Sequence, residues 1–220
     1  DAEVTTPIRV LLAEDDPLAQ MAIQTYLSRA GDMELVATAG DGVEALGLLE
    51  EARPDVAIVD LHMPRLDGVE LTSRLTAANP PVKVLIFTAL GDDDTLARAL
   101  QAGASGFLLK SDSPGLVLHG IRSAHSGDSL VSPKLVASLL RRGGVAQSAP
   151  PASVTETDRR LLGLVALGLS NAEIASEMFL APSTVKTYIS RLLARLDRPN
   201  RAALAALAYE WDLVPRNHPA

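Results

Sequence analysis

DVAIVDLHMPRLDG, residues 55–68, ends an apolar run on a carboxylate. Val56, Ala57, Ile58 and Val59 have the pattern of a strand covered on both faces. The run stops at Asp60, and Met63-Pro64 follows. Burying a carboxylate is costly unless something pairs with it. Asp60 is therefore expected at the carboxyl end of the strand, beside a cleft that needs a negative charge.

Working outward, four more short apolar runs read as strands: Ile8–Ala13, Glu34–Ala39, Lys83–Thr88 and Gly106–Lys110, with the central one spanning Val56–Asp60. Ala19, Ile23, Tyr26, Leu27 and Ala30 line one helical face, and helices are also expected near 42–51, 67–78, 92–102 and 114–125. Strands alternating with helices imply right-handed crossovers and an α/β fold, a five-stranded parallel, doubly wound sheet. Ligands of such sheets bind beyond the carboxyl ends of the strands.

The chain has 220 residues, 47% of them hydrophobic and 21% charged, which indicates a globular protein. No apolar stretch is long enough to cross a membrane, and no signal peptide is visible. The start lacks an initiator Met, so processing or trimming is expected. Without cysteine, disulfides and thiolate metal sites are excluded, which fits a cytoplasmic protein.

SGDSLVSPKLVASLLRR (126–142) reads as a turn and a short helix starting near Pro133. GGVAQSAPPAS (143–153) has the composition of a flexible linker. The expected organisation is a first domain at 7–126, a linker with a short helix at 127–153, and an all-α domain at 154–214. Residues 1–153 carry a net charge of −8 and residues 154–220 of +1, so the acidic surplus lies wholly in the first part. Thr155-x-x-Asp158 resembles a capping box, and Ser170 is a plausible N-cap for a helix at Asn171–Phe179. A third helix starts at Pro182 and runs to Leu196, and a fourth spans Arg201–Tyr209.

Glu14-Asp15-Asp16, Asp60, Thr88 and Lys110 all fall at expected strand ends. In a parallel sheet these ends share one edge. Carboxylates gathered there repel one another, and a hard divalent cation such as Mg²⁺ relieves the repulsion. Lys110 adds a point charge and Thr88 a hydroxyl donor. Asp60 is then a carboxylate nucleophile placed to form an aspartyl-phosphate. Taken singly, each residue also fits a bland role, as a solvated turn, a strand-end hydroxyl or a surface charge.

LLAEDDPL, VDLHMPRLDG, IFTA and FLLKS resemble, in order and spacing, the receiver domains of two-component response regulators over residues 7–126. The resemblance implies a flavodoxin-like fold of strand order 2-1-3-4-5, with Asp60 as phosphoacceptor. It also implies Mg²⁺ held through Asp15, Asp60 and the backbone carbonyl of His62, with Glu14 helping through water. Thr88 and Phe107 would be the switch pair, with Ala89 small beside the phosphoryl group. Glu14 stands where the family more often has aspartate, and Ser111 where the NarL-like branch often has an acid. His62 and Leu90 are expected to tune the lifetime of the phosphoryl group.

In GLSNAEIASEMFLAPSTVKTYISRLLARL (168–196), two helices flank a turn at Phe179–Ala181. Ile174, Ala175 and Met178 are expected to face inward, with Val185, Ile189 and Leu192 or Leu193 on the second helix. This is helix-turn-helix spacing, with the second helix for the major groove. Ala181 is a poor N-cap for that helix. Arg195 and Arg198 continue its basic face, although a helical bundle with a solvated basic face reads similarly. The segment resembles the LuxR-type four-helix DNA-binding domain over 154–214. By position, Lys186, Thr187 and Ser190 would face bases, and Ser183, Thr184 and Arg191 phosphates. Tyr188 replaces the usual histidine, and Thr157-Asp158 the usual Arg-Glu. Trp211 could pack as core or lie at a dimer contact.

Together these features identify a response regulator of the NarL/FixJ type rather than an enzyme. The expected partners are a sensor histidine kinase, double-stranded promoter DNA and a second copy on phosphorylation, with no membrane. The acidic first domain would disfavour DNA in the inactive state. Two rivals stay open: an Mg²⁺-dependent phosphohydrolase using Asp60, and a regulator indifferent to phosphorylation. The first would need an acid/base carboxylate two residues after Asp60, where His62 stands.

Overall fold

β1 (Ile8–Ala13), β2 (Met33–Ala39), β3 (Val56–Val59), β4 (Lys83–Thr88) and β5 (Gly106–Leu109) alternate with five helices. These are α1 (Pro17–Ser28), α2 (Gly42–Ala52), α3 (Gly68–Thr76), α4 (Asp93–Gln101) and α5 (Pro114–Ser126). The computed structural model describes residues 6–89, 93–132, 135, 148–198 and 200–215. It divides into two compact units, Asp1–Gly127 and Asp128–Ala220.

All pairings in the first unit are parallel, in the order β2-β1-β3-β4-β5. Every β3 residue is fully buried, as a central strand with helices on both faces requires. Each such buried Val or Ile side chain contributes roughly 1.5–3 kcal/mol. Val59 pairs with Ala13 on one side and Ile86 on the other. Glu14 and Asp60, each the next residue, therefore emerge side by side. Thr88 pairs with Leu109, which brings Lys110 out at the same edge. β3 and β5 each stop one residue short of the expected end, leaving Asp60 and Lys110 in loops. There their side chains are freed from the alternation of the sheet.

Short polar side chains start the helices. Asp16, Asp41, Asp67 and Ser113 accept from the backbone of the first turns of α1, α2, α3 and α5, and Pro17 and Pro114 add preset first-turn geometry. The α3 cap leaves its first residue, Gly68, pressed against β3: a Cβ there would lie 2.2 Å from the Asp60 carbonyl oxygen.

The second unit contains α6 (Glu156–Ala166), α7 (Asn171–Met178), α8 (Pro182–Arg195) and α9 (Arg201–Glu210). Thr155–Asp158 and Ser170–Glu173 both form full capping boxes, whereas Ala181 gives α8 no side-chain cap. Phe179 ends α7 in the left-handed conformation (φ 56°). The core includes Leu161, Leu162, Val165, Ile174, Ala175, Val185, Ile189, Leu192 and Leu204. Met178 and Leu193, both candidates for this core, are half-buried. Trp211 is the half-buried C-cap of α9. The short helix expected near Pro133, Leu90 and part of the linker lie outside the described residues; Leu135 is helical and buried. Among the described residues no helix is long and apolar enough to cross a membrane.

Candidate functional site

Glu14, Asp15 and Asp60 each offer a carboxylate oxygen, and these oxygens lie within 4.8 Å of one another. Glu14 is completely buried and Asp60 nearly so, while Asp15 is exposed. Lys110 Nζ reaches into the group, 3.0 Å from Glu14 Oε1 and 3.2 Å from Asp60 Oδ2. Asp60 Oδ1 accepts the His62 N–H at 3.2 Å. Glu14 Oε1 also accepts the Asp16 N–H at 3.1 Å. Its other oxygen, Oε2, is buried with no hydrogen-bond partner.

Burial pushes the Glu14 carboxyl up to about 7, helped by the nearby Asp60 charge and opposed by the bonds from Lys110 and Asp16. Burial also pulls Lys110 down, but its bond to Glu14 and the Asp60 charge outweigh this and raise it above the ordinary lysine value. Between pH 4.5 and 7 the folded chain therefore holds a Glu14 proton that the unfolded chain releases. The associated stability is fully present below about 4.5 and is lost as pH rises through about 7. Metal-free protein is expected to lose urea resistance from pH 5 to 7.5, and Glu14→Gln to flatten that slope. Parallel slopes in the two proteins would show that Glu14 is not its source.

The neighbouring strand ends complete the edge. Thr88 is buried, and its hydroxyl donates to the Ala89 carbonyl at 3.3 Å. The Thr88 carbonyl accepts the Lys110 N–H at 2.8 Å, which fixes the root of the lysine. Phe107 is buried on β5, and Ala89 and His62 are exposed. Asp112 is buried and accepts the Leu109 N–H at 2.7 Å, so an acid one residue after Ser111 closes the loop around Lys110.

On α8, Val185, Ile189 and Leu192 face the core, and Ser183, Lys186, Thr187, Ser190 and Arg191 are exposed, with Thr184 half-buried. Thr187 and Ser190 hydroxyls donate to the Ser183 and Lys186 carbonyls, each at 3.0 Å. Tyr188 is on the margin of this exposed face. Arg195 is engaged within the unit: its guanidinium pairs with Asp158 at 2.5 Å, tying the end of α8 to the start of α6. Arg195 stays exposed on α8 while it makes this pair. The bond holds the Asp158 carboxyl below its usual range despite burial.

Two family profiles match the chain: the response regulator receiver domain at residues 10–122, and the bacterial regulatory proteins of the luxR family at 152–208. The chain belongs to the response regulators. It is a DNA-binding transcriptional regulator with a receiver and a LuxR-type domain, not an enzyme, which removes the phosphohydrolase reading. It is 35% identical over 206 residues to the DNA-binding transcriptional activator DevR/DosR of Mycobacterium tuberculosis, covering 92% of this chain and 94% of that protein. It is 34% identical over 210 residues to the transcriptional regulatory protein LiaR of Bacillus subtilis, covering 94% and 99%. Among solved structures, the response regulator ChrA of a heme-sensing two-component system matches with a TM-score of 0.54 and 28% identity, covering 94% and 99%.

Three arrangements in this response regulator escaped the sequence reading: the Asp112 loop closure, a pair between Asp41 and Arg65, and a buried Arg201 bonded to Asn171. Asp41-x-x-Glu44 carried a helix-start signal that marks Asp41 as a cap. Its second partner, on another loop, left no local trace.

Proposed function

We propose that Asp60 is the phosphoacceptor, taking a phosphoryl group from a histidine of a partner sensor kinase in the cytoplasm. What carries this reading is Lys110 bridging Glu14 and Asp60 beside a Glu14 oxygen that is buried and unpartnered. That orphaned oxygen and the three convergent carboxylates fit a hard cation. Glu14, Asp15, Asp60 and the His62 backbone carbonyl would hold Mg²⁺, which when bound supplies positive charge to the phosphoryl oxygens.

An Asp60 oxygen bonds to phosphorus as the bond from phosphorus to the kinase histidine nitrogen breaks, its electron pair leaving with the nitrogen. Lys110 balances charge on the transferred group. The Thr88 hydroxyl turns from the Ala89 carbonyl toward a phosphoryl oxygen, the small Ala89 leaves room, and Phe107 packs against the vacated space. The modified protein forms a homodimer and binds double-stranded promoter DNA. There α8 enters the major groove with Lys186, Thr187 and Ser190 toward bases and Ser183, Thr184 and Arg191 toward phosphates.

Intact mass after treatment with acetyl phosphate and Mg²⁺ tests the reading, with size-exclusion chromatography alongside. Wild type should gain one phosphoryl group and shift from monomer to dimer, and Asp60→Asn should do neither. No adduct with acetyl phosphate or a cognate kinase would overturn it.

A further inference from the structure

Asp41 is a buried carboxylate that the phosphoryl chemistry does not use; only 2% of its side chain is exposed. Its Oδ1 caps α2, accepting the Val43 and Glu44 N–H groups at 2.8 and 3.0 Å. Its Oδ2 accepts from the Arg65 guanidinium, which reaches it from the loop joining β3 to α3. Arg65 adopts a left-handed backbone (φ 67°), which a non-glycine residue keeps only when its surroundings hold it there.

A second contact lies next to this one. A Cβ on Gly42 would be 2.7 Å from the Leu66 carbonyl oxygen and 2.8 Å from Leu66 Cβ, so the first turn of α2 is pressed against the same loop. At its far end the loop is held by Gly68, whose N–H donates to the Leu61 carbonyl at 3.1 Å. Between these fixed points lies His62. The path of the loop through His62 is thus set by Asp60 and Leu61 on one side and by Arg65 and Leu66 on the other.

We propose that Arg65 is a positioning residue for the cation site: bonded to Asp41, it fixes the loop on which the His62 carbonyl is carried. The inference rests on the Mg²⁺ and Asp60 reading above. A loop released from Asp41 samples other paths, and the cation then keeps its carboxylates but loses a preset backbone ligand. Affinity for Mg²⁺ falls while the sheet and its core are untouched.

The test is calorimetric titration of the full chain with Mg²⁺, with melting in EDTA measured in parallel. Arg65→Ala should weaken Mg²⁺ roughly tenfold, within the range seen when supporting groups around a metal are lost. Its metal-free melting point should fall by a few degrees, because Asp41 stays buried without its counter-charge, and melting in EDTA shows that the chain is still folded at the titration temperature. Asp41→Asn, which keeps the cap but removes the charge, should match it, and Arg65→Lys should recover part of the affinity. The double variant should be no weaker than either single one, since both break the same link. Unchanged Mg²⁺ affinity in Arg65→Ala, or a lower melting point with affinity intact, would overturn the positioning role. Wild type that takes no Mg²⁺ would instead bring down the reading on which it rests.

Discussion

Gly68→Ala is expected to lower the melting point of the receiver unit by about 8 °C, whereas Gly47→Ala should raise it slightly. Both substitutions add one methyl to a helical glycine. At Gly47, inside α2, a Cβ meets nothing within 4 Å, and the gain is the ordinary helix preference of Ala over Gly, about 1 kcal/mol. At Gly68 the Cβ would lie 2.2 Å from the Asp60 carbonyl oxygen and 2.6 Å from Leu61 Cα. Neither side yields easily. The Asp60 N–H is bonded to the Ala13 carbonyl at 2.9 Å, and α3 buries Leu71, Thr72 and Leu75 completely. Overpacking of this kind costs about 3 kcal/mol or more, which exceeds the helix gain. Net of that gain the loss is about 2 kcal/mol, which at about 4 °C per kcal/mol for a domain of this size is a fall of about 8 °C. Calorimetry of the full chain measures it, with Trp211, the only tryptophan, reporting the other unit. Equal melting points for the two alanine variants would mean that α3 slides freely over β3.

How far the sequence reading carried depended on whether each feature was local. β1 and β4 were placed to the residue because β-branched runs with clear turn signals bracket them. β3 and β5 were overrun by one residue: the apolar pattern cannot tell a strand's last rung from the loop beside it. The active edge was legible because a parallel sheet must bring its carboxyl ends together, so Glu14, Asp60 and Lys110 could be grouped from order alone. Their division of labour was not. That Lys110 touches both carboxylates, and that one Glu14 oxygen is left without a partner, depends on side-chain torsions that no spacing encodes. The choice of Leu192 over Leu193 as the core residue likewise waited on the rotation of α8. Asp41 and Arg65 pair across 24 residues through an exposed loop, and nothing in either neighbourhood announces the other.

Replacing Arg201 with Ala should destabilise the DNA-binding unit by about 3–5 kcal/mol, the scale for breaking a buried charged network. Arg201 opens α9 and is 3% exposed. Its Nη1 donates to Asn171 Oδ1 and its Nη2 to the Leu169 carbonyl, both at 2.5 Å, so it joins the starts of α7 and α9. Burial lowers the affinity of the guanidinium for its proton, and the charge of Asp128, 3.5 Å away, opposes this. Asn171 Nδ2 donates to the same Asp128 oxygen at 3.1 Å, closing a triangle. Lysine should restore little, because one ammonium cannot reproduce the two-pronged geometry. Urea unfolding followed by Trp211 fluorescence reads this unit directly, and an unchanged midpoint in Arg201→Ala would refute the assigned role. Asp128 makes the sharper test, since it lies well before the matched residues 152–208. Asp128→Ala leaves a buried guanidinium without its counter-charge, so it should be costly in wild type and nearly neutral on an Arg201→Ala background. The same physics makes a fragment that starts at residue 128 more stable than one starting at 154. If the two fragments unfold together, the Asp128 contact contributes nothing to the helical unit.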